Sequence, residues 1–433
     1  MNYYEAMTYI KNTSKFGSNL GLERTEKVLE LLDNPHKKLR CIHIAGTNGK
    51  GSTTAMLTEI LKKAGYKVGM YTSPYLEEFE ERIQINGANI SKVDLSRIVT
   101  RVAEAVNKVL ELGYEHPTEF EIITCAMFLY FHEVKVDYAV VEVGLGGRLD
   151  STNVITPILS IITSISYDHM KILGDTLDKI AYEKAGIIKS GVPVIVYPQE
   201  LDSLRVIKKV AEEKCSKIIE VPNECAKLNA LDETGKNRIT QTVLIRTDKQ
   251  SYDIELSLLG IHQLLNCAVS VFAAEELIKQ GINISEQNII SALRKVKWPG
   301  RLEVINQDPL VVIDGAHNID GIKKLTESIE RYFSYEKVVL ILGILADKQV
   351  KEMIDTIVPK AYKVIAVTPN SERAELASEL AEEIKKINSN VQVIENYEQA
   401  YKEAFSYCNN KDLLLISGSL YMIGDMRKIV VRH

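Results

Sequence analysis

The chain has 433 residues, of which 45% are hydrophobic and 26% are charged, and its formal net charge is -5. A single hydrophobic core seldom grows beyond roughly 250–300 residues, so the length predicts two domains. The slightly acidic balance argues against a nucleic-acid binder that relies on bulk positive charge.

Cysteine usage and apolar runs predict where the protein acts. The six cysteines form no Cys-x-x-Cys pair and fit neither a zinc knuckle nor a disulfide framework. Reduced thiols of this kind are typical of a cytosolic protein. The N-terminus shows no signal-peptide pattern, and no apolar run approaches the roughly 18–20 residues of a membrane helix. We therefore expect a cytoplasmic protein without a membrane partner.

Short apolar runs alternate with longer stretches, such as Ser52–Ala64, whose apolar residues recur at helical spacing. This alternation predicts an α/β fold, in which parallel sheets are covered by helices on both faces. Such sheets bind ligands beyond the carboxyl ends of their strands. The predicted strands are Arg40–Ala45, Lys67–Tyr71, Asp137–Val143, Ile158–Ser164, Val192–Tyr197, Leu310–Ile313, Lys337–Leu342, Lys363–Thr368 and Asp412–Ser417.

The segment from about 199 to 256 is richer in charge and includes two runs that suggest antiparallel strands, Thr242–Arg246 and Tyr252–Leu256. We interpret it as a small antiparallel sheet appended to the first domain. The only tryptophan, Trp298, stands beside a proline and a glycine, which punctuate structure. This position predicts a first domain of residues 1–297 and a second of residues 298–433.

A glycine-rich segment, residues 42–54, follows a predicted strand and opens a predicted helix. A phosphate-binding loop requires this context, because its backbone N–H groups and the helix N-terminus face the anion. Lys50 can reach the β- and γ-phosphates, and Ser52 or Thr53 can lie near a magnesium ion. The match to G-x-x-x-x-G-K-[ST] is imperfect, since the first glycine is missing and Gly51 follows the lysine. The alternative is a glycine-rich turn with a surface lysine.

One carboxylate, Glu142, lies near the end of the apolar run Asp137–Val143, and glycines follow it. It is well placed to hold magnesium, a hard cation that prefers oxygen ligands. The alternative is a strand-end glutamate paired with a lysine or an arginine. Arg148 either contacts phosphate or substrate, or forms an ion pair with Asp150.

Two further positions are ambiguous from residue types alone. His169 follows the predicted strand Ile158–Ser164, where it is either a metal ligand or a hydrogen-bonded structural residue. Glu183 and Lys184 lie at a predicted helix end that terminates in glycine. Physical reasoning alone predicts that these two residues are a solvated charged pair.

The most distinctive motif is Gly46-Thr47-Asn48-Gly49-Lys50-Gly51-Ser52-Thr53. Others follow in chain order: Ser14-Lys15-Phe16-Gly17, Gly21-Leu22-Glu23-Arg24, Thr72-Ser73-Pro74, Phe79-Glu80-Glu81-Arg82-Ile83, Ile85-Asn86-Gly87, Pro117-Thr118-Glu119-Phe120-Glu121, Gly144-Leu145-Gly146-Gly147-Arg148-Leu149-Asp150, Asp168-His169, Glu183-Lys184-Ala185-Gly186, Gly260-Ile261-His262-Gln263 with Asn266, Trp298-Pro299-Gly300-Arg301-Leu302-Glu303, Asp314-Gly315-Ala316-His317-Asn318 and Ser417-Gly418-Ser419-Leu420-Tyr421. Over nearly the whole chain they resemble the folylpolyglutamate and dihydrofolate synthase family of the Mur-ligase-like superfamily.

The resemblance implies a P-loop-type ATP-binding domain with a mostly parallel sheet, followed by a Rossmann-like α/β glutamate-ligase domain, with ATP between them. It implies an ATP-dependent ligase that adds L-glutamate to the γ-carboxylate of a folate through an acyl phosphate. Some members also join dihydropteroate to L-glutamate, and the sequence does not separate the two kinds. Relatives are generally monomeric, so we expect a monomer whose partners are small molecules.

The resemblance also implies residue roles. The nucleotide would be bound by the phosphate loop, Asn266, Arg301, Asp314 and His317. Two magnesium ions would be held by Ser73, Glu142, His169 and Lys184, the last carrying a carbamate, and a K⁺ ion is a further option. The catalytic residues would be Lys50, Lys184 and His317.

The substrate-side roles implied by the resemblance lie in two places. The folate-side loop would present Ser73, Pro74, Phe79 and Arg82. Within it, Tyr75 stands where many relatives have histidine, and Glu80 where many have asparagine, which affects the preferred folate form rather than the chemistry. The incoming glutamate would meet Arg373 and Ser417. The alternative for Arg373 is a surface arginine near Glu372 and Glu375.

Two other protein classes share part of this pattern. A Mur-type ligase for UDP-linked muramyl substrates uses the same chemistry, but it usually carries a separate domain before the phosphate loop. Only about 45 residues precede the loop here. A P-loop switch or kinase is disfavoured by the second α/β domain and by the motif Asp314–Asn318.

Overall fold

The computed structural model describes residues 1–13, 17, 19–232 and 239–432. Three residues of the N-terminal motif, Ser14, Lys15 and Phe16, lie outside this part of the chain. The helices within it are α1 (Tyr3–Thr13), α2 (Glu23–Leu31), α3 (Lys50–Lys63), α4 (Lys92–Glu111), α5 (Glu119–Glu133), α6 (Met170–Leu173), α7 (Leu177–Ala185), α8 (Leu201–Glu213), α9 (Ile261–Lys279), α10 (Glu286–Leu293), α11 (Ile319–Tyr332), α12 (Val350–Ile357), α13 (Ala377–Lys385), α14 (Tyr397–Ser406) and α15 (Leu420–Val430).

The strands are β1 (Cys41–Ala45), β2 (Val68–Tyr71), β3 (Ile83–Ile85), β4 (Ala88–Asn89), β5 (Tyr138–Glu142), β6 (Leu159–Ile162), β7 (Val194–Val196), β8 (Ile218–Glu220), β9 (Ala226–Asp232), β10 (Thr240–Arg246), β11 (Ser251–Leu256), β12 (Glu303–Gln307), β13 (Leu310–Asp314), β14 (Val338–Leu342), β15 (Ala361–Ala366), β16 (Val391–Val393) and β17 (Leu413–Ser417). Among the described helices, none is long and apolar enough to cross a membrane.

The first sheet has the strand order β4-β3-β2-β5-β1-β6-β7-β8. Its strands run parallel except at the β2–β3 and β3–β4 pairs. Strands β1, β2, β5, β6 and β7 are buried at every position, as expected where helices cover both faces. Parallel packing therefore brings the carboxyl ends of β1, β5 and β6 to one edge of the sheet.

Two more sheets complete the described strands. Strands β9, β10 and β11 form an antiparallel sheet, as the sequence predicted for β10 and β11. The third sheet has the order β12-β13-β17-β14-β15-β16, and only its edge strand β12 is antiparallel. The predicted α/β fold class is confirmed, and all nine predicted parallel-sheet strands are present. Six strands were missed (β3, β4, β8, β9, β12 and β16), and all but β9 consist of only two to five residues, most of them partly or fully exposed, which carry little periodic signal.

Packing divides the described residues into two compact units. The first contains residues 1–165, 173–225 and 266–293, and the second contains residues 166–172, 226–265 and 294–433. The small antiparallel sheet thus groups with the C-terminal sheet, since Leu228 and Leu231 of β9 pack against the core that contains Val312 and Leu340. The sequence had attached this sheet to the first domain, and the boundary at Trp298 stays a prediction.

A buried polar network links β1 to the turn after β5. The His43 imidazole Nε2 lies 2.9 Å from the Thr152 hydroxyl, and both side chains are inaccessible to solvent. The Asp150 carboxylate accepts hydrogen bonds from the backbone N–H groups of Leu145, at 2.8 Å, and Thr152, at 3.0 Å. Burial, with a smaller contribution from the charge of Lys189, lowers the pKa of His43 to about 3. His43 is therefore neutral at pH 7 and serves the fold.

We expect the His43→Gln variant to lose less stability than the parent protein on acidification. The unfolded imidazole takes up a proton below its ordinary pKa of about 6.5, whereas the folded one does not until about pH 3. His43 therefore makes unfolding easier as the pH falls through this window, by about 2 kcal/mol between pH 7 and pH 5. Urea unfolding at both pH values measures the difference. The partly exposed His132, as His132→Gln, is the control, and equal acid sensitivity of parent and His43→Gln would contradict the assignment.

Candidate active site

The glycine-rich segment forms a closed loop between β1 and α3. The backbone N–H groups of Thr47 and Asn48 both donate to the Ser164 carbonyl, at 2.7 and 3.3 Å. Gly49 has a φ of +87°, and a β-carbon at this position would lie 2.5 Å from the Asn266 amide oxygen. Only glycine fits both conditions. The predicted nucleotide residue Asn266 therefore lies directly against the phosphate loop.

Lys50 is the first residue of α3, and its side chain is held within the loop. The ammonium donates to the Thr47 carbonyl at 3.2 Å and lies 3.9 Å from a carboxylate oxygen of Glu142. Both side chains are largely buried, so the alternative of a surface lysine is wrong. For Glu142, the two predictions were a magnesium ligand and a glutamate paired with a lysine or an arginine. Its position beside Lys50 is compatible with both. Nearby, the Thr53 hydroxyl is buried and has no hydrogen-bond partner in the described part of the chain.

Lys184 lies under the phosphate loop. It belongs to the last turn of α7, its exposed fraction is 4%, and its ammonium donates to the Gly46 carbonyl at 2.7 Å. The prediction of a solvated Glu183–Lys184 pair is therefore wrong. Glu183 instead accepts from the Arg148 guanidinium at 2.9 Å, and its carbonyl accepts from the Arg148 backbone N–H at 2.7 Å. These bonds join the end of α7 to the glycine-rich turn after β5.

The structure replaces one of the two options that the sequence left open for Arg148, the ion pair with Asp150, and leaves the contact with phosphate or substrate a prediction. Its structural partner is Glu183 rather than Asp150, whose oxygens accept from backbone N–H groups and from Thr152. The side chain of Arg148 remains partly exposed. Its guanidinium also lies 5.7 Å from the centre of the Tyr182 ring. Arg148 thus holds the α7 end in place beside the loop.

The oxygen ligands proposed for magnesium in the first unit are the Ser73 hydroxyl and the Glu142 carboxylate. Among the described residues, no group of three or more histidine, cysteine, aspartate or glutamate side chains could hold a metal by itself. Magnesium commonly takes only one or two carboxylates and completes its shell with phosphate oxygens and water. The available oxygen donors fit such an ion. An imidazole is a less typical magnesium ligand, so donor chemistry supports His169 least.

In the second unit, Asp314 ends β13 and organises the backbone around it. Its carboxylate accepts from the N–H groups of Leu302 and Ala316, each at 2.8 Å. Burial raises the pKa of Asp314, while the charge of Arg301 and these two bonds oppose the shift. Asp314 therefore positions two of the predicted nucleotide residues, Arg301 and His317, through the chain segments that carry them.

A polar cluster surrounds Asp168 in the same unit. The Lys348 ammonium donates to its carboxylate at 2.6 Å, and both side chains are almost fully buried. The Asn318 amide donates to Asp168 at 3.3 Å, and His317 Nε2 lies 4.0 Å from it. Burial raises the pKa of Asp168, but the charges of His169, Lys348 and His317 outweigh burial and lower it below its usual value. Lys348 was not among the predicted site residues, and its only signal in the sequence was its position shortly after the buried strand β14.

The two histidines of this cluster differ in geometry. His317 places Nδ1 2.8 Å from the Gly315 carbonyl, and burial, helped by the charge of Lys348, lowers its pKa to about 4. It is thus neutral at pH 7. His169 adopts a φ of +49°, which is uncommon for a residue with a side chain. Its backbone N–H donates to the Asp168 carboxylate at 2.8 Å. Such backbone strain concentrates at functional sites, which favours the functional interpretation of His169.

The two residues predicted to meet glutamate have different surroundings. Arg373 is 46% exposed, as the alternative of a surface arginine expects, and its guanidinium pairs with Asp347. Ser417 ends β17, in register with Asp314, and is completely buried. Its hydroxyl has no hydrogen-bond partner among the described residues, and the same holds for Ser419. Ser419, which the sequence analysis did not single out, occupies the N-cap position of α15 without capping it.

Comparisons with known proteins identify two family domains in the chain. The Mur ligase middle domain matches residues 44–274, and the Mur ligase glutamate ligase domain matches residues 300–420. A dihydrofolate synthase/folylpolyglutamate synthase of Bacillus subtilis is 40% identical, over 98% of this chain and 98% of the relative. A folylpolyglutamate synthase of Lacticaseibacillus casei is 34% identical, over 100% of this chain and 99% of the relative.

A solved structure agrees with these matches. The folylpolyglutamate synthase of Mycobacterium tuberculosis, complexed with ADP and AMPPCP, superposes with a TM-score of 0.90 at 27% identity, and all of both chains is covered. Neither a UDP-muramyl ligase nor a nucleotide switch is needed to account for the phosphate loop, the second α/β unit and this full-length likeness. The chain belongs to the folylpolyglutamate and dihydrofolate synthase family of Mur ligases.

Proposed function

We propose that this ATP-dependent ligase adds L-glutamate to the γ-carboxylate of a reduced folate and also joins dihydropteroate to L-glutamate. The observation that carries the proposal is the phosphate loop, with the Lys50 ammonium 3.9 Å from the Glu142 carboxylate at the carboxyl edge of the first sheet. The relative from Bacillus subtilis is named for both activities, and that from Lacticaseibacillus casei for folylpolyglutamate synthesis alone. The second activity is therefore the finer part of the proposal.

The reaction activates a carboxylate, which is a poor electrophile. An oxygen of the folate γ-carboxylate attacks the γ-phosphorus of ATP, so an acyl phosphate forms and ADP leaves. The amine of L-glutamate then attacks the acyl carbon, the C–O bond to phosphate breaks, and an amide, inorganic phosphate and a proton are the products. The acyl phosphate must be kept from water, which would hydrolyse it.

Charge on the transferring phosphoryl group is offset by the loop. Lys50 and the inward-facing N–H groups at the start of α3 would bind the β- and γ-phosphates. Magnesium, when bound, neutralises phosphate charge, and Ser73, Glu142 and a carbamate on Lys184 would supply its oxygen ligands. His169 and a K⁺ ion complete the expected set. A carbamate on Lys184 would stand beside the Gly46 carbonyl, where the ammonium now lies.

The second unit would supply the remaining nucleotide contacts and the glutamate site. We assign Arg301, Asp314 and His317 to the nucleotide, with His317 acting by hydrogen bonding because its imidazole is neutral at pH 7. Ser417 would donate its buried hydroxyl to a carboxylate of L-glutamate. Arg373 could bind the second carboxylate in a bidentate manner. A cytoplasmic location, a monomeric state and the absence of nucleic-acid and membrane partners stay predictions.

Separate reactions with dihydropteroate and with tetrahydrofolate test the activity itself. Each contains purified protein, magnesium, ATP and L-glutamate, and ADP release is measured with the product identified by mass. We expect ADP release with both pterin substrates and only when L-glutamate is present. Turnover with tetrahydrofolate alone would restrict the enzyme to chain elongation. Silence with both, from folded protein that binds ATP, would overturn the proposal.

The Lys50→Met variant should lose most of its turnover. Removing one preorganised positive donor from a phosphoryl-transfer site costs about 10²–10³ in kcat. The stem of methionine keeps the packing, so we expect the melting temperature to change little. Lys63→Met, on the last turn of the same helix, is the matched control. Undiminished ADP release by Lys50→Met would exclude Lys50 from the phosphate site.

The Ser417→Ala variant should raise KM for L-glutamate about tenfold and leave KM for ATP unchanged, because a hydrogen bond to a charged group is worth about 1.5–3 kcal/mol. Its hydroxyl has no partner within the described chain, so its removal should not weaken the fold. Initial rates at varied glutamate measure the effect. Ser203→Ala is the matched control, since Ser203 is a buried serine of α8 that also lacks a partner. A Ser417→Ala enzyme with the parent KM would place the glutamate carboxylate elsewhere.

A further inference from the structure

The loop between β2 and β3, residues 73–82, is folded around one of its own carboxylates. Glu81 Oε2 accepts from the backbone N–H of Leu76 at 2.8 Å. Glu81 Oε1 accepts from the N–H groups of Glu77 at 3.1 Å and Glu78 at 2.9 Å. The Glu81 N–H donates in turn to the Glu78 carbonyl at 3.0 Å. Three consecutive backbone donors thus converge on one side chain.

Side chains on either side of Glu81 also tie the loop to the first unit. The Arg82 guanidinium lies 5.4 Å from the centre of the Tyr75 ring and 5.2 Å from that of Phe79. It also lies 3.5 Å from the carboxylate of Glu119, at the start of α5. Arg82 therefore packs the aromatic residues of the loop together. These contacts fix the end of the loop, whereas the three bonds to Glu81 fix its centre.

The residues expected to face the folate stand on both sides of the segment that Glu81 holds. The segment of residues 76–78 is preceded by Ser73, Pro74 and Tyr75. It is followed by Phe79 and Arg82. Tyr75 is partly exposed, so it is open to a ligand. A change in the conformation of residues 76–78 would displace both groups at once. The geometry therefore gives Glu81 control over the loop through the backbone of residues 76–78.

We propose that Glu81 is a positioning residue that holds the folate-side loop in its binding conformation before the pterin substrate arrives. The inference rests on the proposed function, because it assigns the loop to the folate. A loop of this length that became ordered only on binding would spend part of the binding free energy on its own immobilisation. A loop ordered in advance by its own carboxylate avoids that loss. Glu81 therefore sets KM for the folate substrate.

The charge and the two oxygens of Glu81 are both required. An ionised carboxylate offers about four acceptor sites and can take all three N–H groups, and charge-assisted bonds of this kind are the stronger ones. The amide of Glu81→Gln keeps one acceptor oxygen and turns an NH₂ group toward a backbone donor. Glu81→Asp keeps the charge but is one methylene shorter. We therefore expect the largest effect from Glu81→Gln and a partial rescue in Glu81→Asp.

Hydrogen exchange on the whole, ligand-free protein tests whether Glu81 orders residues 76–78. A peptide spanning residues 76–78 should exchange at least about tenfold more slowly than an unstructured chain in the parent protein. In Glu81→Gln it should approach the unstructured rate, while peptides from α4 and β5 stay unchanged. The control is Glu111→Gln, which makes the same charge change at an exposed position of α4. A parent segment that exchanges at the unstructured rate would overturn the proposal.

Steady-state kinetics test whether the order that Glu81 imposes on residues 76–78 promotes folate binding. In Glu81→Gln, KM for tetrahydrofolate should rise about tenfold, with kcat and KM for ATP within about twofold of the parent. Glu81→Asp should fall between the two, and Glu111→Gln should match the parent. Faster exchange with an unchanged folate KM would also overturn the proposal, since loop order would then not matter for binding. If the parent enzyme turns over neither pterin substrate, the proposed function fails. The exchange result alone then decides whether Glu81 orders residues 76–78.

Discussion

The phosphate loop depends on two hydrogen-bonded attachments to other parts of the first unit. The Ser164 carbonyl, after β6, accepts from the backbone of Thr47 and Asn48, and the Gly46 carbonyl accepts from the buried ammonium of Lys184. A glycine-rich loop has a large conformational entropy, so it binds phosphate well only if other elements hold it in one conformation. The order of strands in the sheet and the end of α7 are what supply those attachments.

Hydrogen bonds to buried polar groups also hold backbone segments in place in the second unit. Asp314 uses its carboxylate to fix two backbone segments, and Asp168 is surrounded by Lys348, Asn318 and a neutral His317. Burial makes each unsatisfied polar group costly, so these carboxylates are held by several donors. Ser417 and Ser419 differ from these carboxylates, because their buried hydroxyls have no hydrogen-bond partner among the residues that the structure describes. In an enzyme that must bind a dicarboxylic amino acid, donors of this kind are appropriate to the task.

Glu81 provides a similar arrangement in the loop between β2 and β3. A carboxylate that organises its own backbone does for this loop what the Ser164 carbonyl and Lys184 do for the phosphate loop. The Glu81 carboxylate and the Ser164 carbonyl each accept from more than one backbone N–H group, and Lys184 donates to one carbonyl; these bonds limit the motion of the backbone. Catalysis by positioning and electrostatics requires such preorganisation, because groups that must rearrange during the reaction contribute less.

The sequence by itself determined the fold class and the order of the motifs. Apolar runs of β-branched residues that alternate with helical patterns are typical of a buried parallel sheet, and a glycine-rich turn between a strand and a helix is typical of phosphate binding. The motif pattern from Gly46 to Tyr421 also identified the family, which the full-length relatives confirm. These conclusions depend on residue patterns within short segments, and such patterns can be identified in the sequence without knowledge of the tertiary structure.

Only the tertiary structure decided which charged side chains are buried and which residues they meet. Lys184 looks like a solvent-exposed helix residue in the sequence, yet it lies beneath a loop that is 138 residues away. Arg148 pairs with Glu183 instead of the nearer Asp150, and Lys348 reaches Asp168 across 180 residues. Contacts over such separations depend on strand order and helix packing, for which no residue pattern within a short window carries a signal.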